Sequence, residues 1–184
     1  MADIMRDAQK RIEDIRRRTV KIVVRRDGSP VPDAQVELRM NRHQFLFGCD
    51  CYCANTYDTP EKEKRHKELF SGLFNYATLP FYWGQYEPVR GEKSEKRLSN
   101  MVEWCKSIDL STKGHPLVWH EILPDWLNSD HDIEKLIQER IEDLMERFGD
   151  QIDYWDLFNE ITVSQRFHNP VADWIEKVGK ENKK

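Results

Sequence analysis

The feature that most constrains this chain is a change of rhythm at Phe45. From there, short apolar runs alternate with longer amphipathic ones, four times over. "FLFGCD" reads as a strand, and "TPEKEKRHKELFSGLF" as a helix with Thr59 as its cap and Pro60 in its first turn. "YATLPFYW" is a second strand. "SEKRLSNMVEWCKSI" is a second helix, with Leu98, Met101, Val102 and Cys105 along one face. "LSTKGHPLVWH" holds a third strand. "DIEKLIQERIEDLMERFG" is a third helix, striped by Ile133, Leu136, Ile137, Ile141, Leu144, Met145 and Phe148 and stopped by Gly149. "IDYWDLFNE" is the fourth strand, and "PVADWIEKVGK" begins a fourth helix. Four strand–helix repeats joined by right-handed crossovers give an α/β fold with a parallel sheet.

The first 42 residues follow a different pattern. Ile4, Ala8, Ile12 and Ile15 recur at helical spacing over residues 3–18. "TVKIVVRRDGSPVPDAQVELRM" then reads as a hairpin, its arms alternating through Val20, Ile22, Val24 and through Val36, Leu38 around Asp27-Gly28. The expected organisation is therefore an N-terminal helix and hairpin over 1–42 and a main domain over 43–184.

Composition bounds the partners. With 33 acidic and 29 basic residues the formal net charge is -4, which gives no reason to expect nucleic acid or an anionic membrane. The run Arg16-Arg17-Arg18 shares its helix with Glu13 and Asp14 and reads as a solvated face. No apolar run approaches the roughly 18 residues needed to span a bilayer, and the N-terminus has no signal-peptide core, so the compartment stays open. Cys49, Cys51 and Cys53 would share one face of a regular strand. Without a second thiol pair they read as small residues packed at a strand end rather than as a metal site.

In parallel α/β folds, chemistry collects at the C-terminal strand ends. The fourth strand runs through "YWDLF" into a bare amide and a bare acid, Asn159 and Glu160. The third ends among His115, Trp119, His120 and Trp126, the second near Tyr82, Trp83, Gln85 and Tyr86. Rings beside hydrogen-bonding groups suit a sugar, whose C–H faces pack on aromatics and whose hydroxyls need donors and acceptors. Each ring taken singly also reads as core. His115 and His120, five residues apart, would point to opposite faces of a regular strand, which makes one of them structural. A metal held by His115, His120 and Glu160 is the weakest reading, because the spacing is not that of helical ligand pairs.

Three stretches together resemble glycoside hydrolase family ten, the endo-β-1,4-xylanase family. "GHPLVWHEILPDW" is similar to its third-strand signature, "YWDLFNE" to its fourth, and "LFNYATLPFYWGQYEPVRG" to its second-strand region, over roughly residues 43–175. The resemblance implies a (β/α)8 TIM-barrel architecture, of which about four βα units are present, and a retaining glycosidase acting on a β-1,4-linked plant polysaccharide such as xylan. It implies Glu160 as acid/base, Asn159 on the sugar 2-OH, His115 and Trp119 lining the subsite beside the cleaved bond, and His120 near them. It implies no cofactor and no metal. Family members are often secreted.

Two departures shape the expectation. Where the family carries Thr-Pro-Glu-Asn-Glu-Met-Lys before the second-strand Trp, this chain has "TLPFYW", with Leu79, Pro80, Phe81 and Tyr82, so xylan and another β-linked glycan stay open as substrates. The family nucleophile is a seventh-strand Glu in a Thr-Glu-x-Asp context, and the sequence ends after the fourth unit. A half-barrel without that carboxylate is expected to be inactive alone. It is expected to expose two sheet edges and an apolar inner face, and to associate with the missing C-terminal half or a second copy. The alternative is a non-catalytic carbohydrate-binding or assembly module.

Overall fold

The computed structural model describes residues 2–181, with only the backbone of Ala2. Two compact units are present, one through Asn41 and one from Arg42 onward.

The first unit holds α1 (Ala2–Arg16) and a small antiparallel pair, β1 (Arg25–Arg26) and β2 (Ser29–Pro30). Asp27 and Gly28 join them with φ of 51° and 79°. A two-residue hairpin turn with positive φ at both positions favours this dipeptide. The hairpin expected over residues 19–40 is confined to this tip. Val20, Ile22, Val36 and Leu38 are all exposed. Alternation holds a strand only where one face is buried, and here neither face is.

The second unit runs β3 (Gly48–Asp50), α2 (Pro60–Leu73), β4 (Tyr76–Pro80), the one-turn α3 (Trp83–Tyr86), α4 (Glu95–Ser107), β5 (Ser111–His115), α5 (Ile133–Phe148), β6 (Tyr154–Trp155) and α6 (Pro170–Glu181). The four strands pair in parallel in the order β3-β4-β5-β6. This is a partial (β/α)8 barrel. None of the described helices is long and apolar enough to cross a membrane.

Local chemistry sets the helix starts. The Thr59 side chain accepts from the Lys62 N–H at 3.3 Å, and Asp132 caps α5 by accepting from the Lys135 N–H at 3.2 Å. The outer face of the sheet, Ala77, Leu79 and Thr112, is buried in one core with Leu98, Met101, Val102 and Cys105 of α4 and Leu144 and Phe148 of α5. Trp155 lies across Gly114, where an added Cβ would come within 2.3 Å of the indole.

The inner face is polar, which corrects the expectation of an uncovered apolar one. Thr78, Lys113 and Tyr154 stand in register across three strands. His115 and Asp156 meet one step further on. Ser111, Lys113 and His115 alternate on β5, so this face presents polar groups to solvent. Exposed apolar side chains gather instead near the two edge strands: Phe47, Leu69 and Leu73 towards β3, Leu157 and Ile161 beyond β6. The three close cysteines also depart from expectation. The strand stops at Asp50 and the chain turns, so Cys51 is buried while Cys49 and Cys53 are exposed. Burial raises the Cys51 thiol to about 12, which keeps it protonated.

Among the described residues, one charged side chain enters the core. Arg140, 5% exposed, lies in the buried stripe of α5. It donates to the carbonyls of Leu117 (2.9 Å), Pro116 (3.3 Å) and Phe81, and sits over the rings of Trp83 and Tyr86. A single guanidinium thereby ties together the C-terminal ends of β4 and β5. Burial lowers its pKa to about 10, so it stays charged at neutral pH.

Candidate functional site

The rim is built by two chain segments that climb side by side. After β5 the ladder skips Pro116, which has no N–H to give. Pairing then resumes: Leu117 N–H donates to Asp156 O at 2.9 Å, Val118 N–H to Leu157 O at 3.0 Å, and Asn159 N–H to Val118 O at 3.0 Å. This irregular continuation carries Trp119 and His120 up beside Asn159 and Glu160. At Glu160 the backbone turns left-handed, φ 50° and ψ 35°, into a 3-10 turn over Ile161–Arg166. A non-glycine residue in that region carries strain, and such strain concentrates at functional sites.

Side chains from the ends of all four strands meet there. Trp119 donates its indole N–H to Glu160 Oε2 at 3.2 Å. The Trp119 ring lies 5.5 Å from that of Tyr82 and 6.5 Å from that of His115. Tyr82 packs edge-on against His115 at 5.7 Å, and Tyr52 stacks over the same imidazole at 6.5 Å. Burial, followed by a hydrogen bond with Tyr82, holds the Tyr52 phenol well above its ordinary pKa, so it is a neutral donor. Four rings and a carboxylate thus line one opening.

Beneath them is a small charge network. Asp156 accepts from Lys113 Nζ at 2.8 Å and contacts His115 Nδ1 at 2.8 Å. Burial pushes the Asp156 carboxyl up, but the hydrogen bonds to Lys113 and His115 outweigh it and hold the group below its ordinary value.

Of the residues singled out in the sequence, His115, Trp119 and Glu160 converge on this opening. Asn159 is adjacent and half-buried. His120 is 1% exposed, its ring 6.2 Å from that of Trp119 and 4.2 Å from that of Phe167. The strand has already ended at His115, so the two histidines do not oppose each other across it. Trp83 and Tyr86 are core residues. Sequence reasoning passed over Lys113, Asp156 and Tyr52. The first two are charges inside short strand runs, a pattern that becomes informative only once the two are seen to pair.

The weakest sequence reading also changes. Among the described residues the one group of metal-capable atoms is His120, Glu121 and Glu160, all within 4.8 Å of one another; His115 is outside it.

The Glycosyl hydrolase family 10 profile matches residues 41–182. The chain is 26% identical over 133 residues to endo-1,4-beta-xylanase B of Thermotoga neapolitana, covering 69% of this chain and 38% of that protein. It is 26% identical over 175 residues to the anti-sigma-I factor RsgI6 of Acetivibrio thermocellus, covering 91% of this chain and 22% of that protein. Among solved structures, xylanase 10B from Thermotoga petrophila RKU-1 in complex with xylobiose aligns with a TM-score of 0.57 at 21% identity, over 71% of this chain and 43% of that one. A GH10 endoxylanase from a sugarcane soil metagenome aligns at 0.56 and 24%, over 64% and 36%. At these identities the structural likeness speaks for the fold alone. The chain spans less than half the length of each of these relatives. Because the family match takes in nearly all of the second unit, this chain belongs to glycosyl hydrolase family 10.

Proposed function

We propose that the chain supplies the acid/base side of a retaining glycosidase site for a β-1,4-linked plant polysaccharide such as xylan. The observation that carries this reading is the indole-to-carboxylate hydrogen bond between Trp119 and Glu160, at the same opening as His115. The donated N–H orients one carboxylate oxygen and leaves the other free to meet a glycosidic oxygen. Glu160 protonates the departing oxygen and later takes a proton from the water that frees the sugar. The faces of Tyr82 and Trp119 cradle the pyranose C–H groups. Asn159 and the His115 nitrogen not engaged by Asp156 bind hydroxyls, with the Asn159 contact to the 2-OH tightening in the transition state. His120 supports Trp119 from behind.

Retention needs a second carboxylate, about 5 to 5.5 Å from the first and across the sugar. No Thr-Glu-x-Asp stretch occurs within the 184 residues. The nucleophile in this proposal comes from outside them, from further chain or another molecule, and these residues alone bind glycan without efficient turnover. The similarity over 69% of the chain to a relative named endo-1,4-beta-xylanase B supports a β-linked xylo-oligosaccharide as the ligand class.

A second reading, a glycan-binding half-barrel that never cleaves, is favoured by one observation. The relative similar over 91% of the chain is named an anti-sigma-I factor, not a hydrolase.

Calorimetry with xylo-oligosaccharides, alongside turnover of aryl β-xylosides and β-glucosides, tests the proposal. The chain is expected to bind xylo-oligosaccharide, to keep most of that binding in Glu160→Gln, and to lose it in His115→Ala. Absence of binding to any β-linked glycan overturns the glycan assignment. Turnover by the chain alone that disappears in Glu160→Gln overturns the need for an outside carboxylate.

A further inference from the structure

The geometry points to a divalent transition-metal site at the rim, formed by His120, Glu121 and Glu160. It does not depend on the glycosidase reading. Two observations support it separately.

The first is the convergence of ligand atoms. One imidazole nitrogen and two carboxylate oxygens lie within 4.8 Å of one another. A point therefore exists within about 2.8 Å of all three, against the roughly 2.0–2.2 Å of Zn–N and Zn–O bonds. Rotation of the two glutamate side chains closes that gap, because Glu160 is exposed and Glu121 only half-buried.

The second is the state of His120. The residue is 1% exposed, and among the described residues neither ring nitrogen has a hydrogen-bond partner. Buried imidazoles are almost always satisfied, and leaving one bare costs about 1–3 kcal/mol per lost group. A cation satisfies a nitrogen that faces two carboxylates. The ring is also held in place. Phe167 packs on it at 4.2 Å, and the backbone carbonyl of His120 accepts from Asn169 Nδ2 at 2.8 Å.

The backbone around the acids is equally constrained. Glu160 and Ile122 both adopt positive φ, 50° and 49°, and the Ile122 carbonyl accepts from Gly84 N–H at 2.7 Å. Glu121 is thereby fixed beside His120 instead of swinging with a free loop. One imidazole and two carboxylates suit Zn²⁺, Mn²⁺ or Co²⁺. Mg²⁺ and Ca²⁺ prefer all-oxygen shells and are not expected to compete. Three protein ligands leave a coordination position for water or a ligand oxygen. Glu160 cannot hold a metal and a transferable proton at once, so metal occupancy and its proposed acid role are alternative states of one carboxylate.

The test is direct metal binding to the 184-residue chain, with Cys49 and Cys53 changed to Ser to remove the exposed thiols. Chelator-treated protein is titrated with Zn²⁺ by calorimetry and with Co²⁺ by visible absorption. The expected result is one ion per chain and a cobalt spectrum without a thiolate charge-transfer band. Affinity should fall by about 10-fold or more in Glu121→Gln, while the metal-free melting curve is unchanged. Glu160→Gln should weaken binding likewise. No stoichiometric binding, a thiolate band, or affinity unaltered by both substitutions overturns the site. Equal affinity for Mg²⁺ overturns its assignment to a transition metal. None of these outcomes depends on glycan binding or turnover, so failure here leaves the glycosidase proposal standing.

Discussion

His115 Nδ1 and Asp156 Oδ2 lie 2.8 Å apart, joining two strand ends that are 41 residues apart in sequence. The contact fixes the imidazole's orientation and leaves Nε2 as the nitrogen not engaged by Asp156. Asp156 is held below its ordinary pKa by Lys113 and His115 against the opposing effect of burial. For a carboxylate depressed in the folded state, the added stability is present above its unfolded pKa of about 3.9 and is lost as pH falls through the folded value. Asp156→Asn is therefore expected to be less stable than the parent at pH 7, with the difference shrinking in acid. Urea melts at pH 7 and below pH 4 measure this; a gap that does not change with pH would contradict it.

Arg140 is the residue on which the rim's shape depends most. Arg140→Met keeps the apolar stem but leaves the carbonyls of Leu117, Pro116 and Phe81 without this donor. A loss of about 3 kcal/mol or more is expected, since each buried carbonyl left without a donor costs about 1–3 kcal/mol. Arg140→Lys should recover little, because an ammonium cannot spread over three carbonyls as the planar fork does. Guanidinium denaturation gives both values. A cost under about 1 kcal/mol for Met would mean that the strand ends hold themselves.

Arg140 also marks where sequence reading stopped. The stripe Leu136, Ile137, Leu144 and Phe148 was legible because apolar spacing reports a buried helix face, and α4 was legible for the same reason. A charge on that face looks like solvent exposure until three carbonyls are found around it. The rim residues Glu160, Asn159 and His115 stood out because polar groups end apolar runs. Asp156 and Lys113 did not, since a charge within a short strand is informative only once its partner on the next strand is known. Val20, Ile22, Val36 and Leu38 failed in the other direction. Their alternation describes a strand that has nothing to cover it.

Two glycines are expected to resist a methyl group for different reasons. At Gly84 an added Cβ would fall 2.6 Å from Leu123 O and 2.8 Å from Ile122 O, and backbone cannot swing aside. At Gly114 it would meet the Trp155 ring, itself packed 4.8 Å from Phe81. Overpacking of this kind costs about 1–3 kcal/mol. Gly84→Ala should sit at or above the top of that range, and should also displace the loop carrying Glu121. Thermal melts rank the two; a neutral Gly84→Ala would show that the loop moves freely away from α3.

Trp119 does two separable things, and a conservative change tells them apart. Its ring packs against Tyr82 at 5.5 Å, and its N–H reaches Glu160 Oε2 at 3.2 Å. Trp119→Phe keeps much of the first and removes the second; Trp119→Ala removes both. Glu160 is exposed, so water replaces the lost donor at little cost, and xylo-oligosaccharide affinity in Trp119→Phe is expected within about threefold of the parent. Trp119→Ala strips the platform and should weaken binding by roughly tenfold or more, an aromatic contact being worth about 1 kcal/mol beyond its buried area. Calorimetry on the two variants decides the matter. Equal losses would assign the sugar contact to the indole N–H rather than to the ring face.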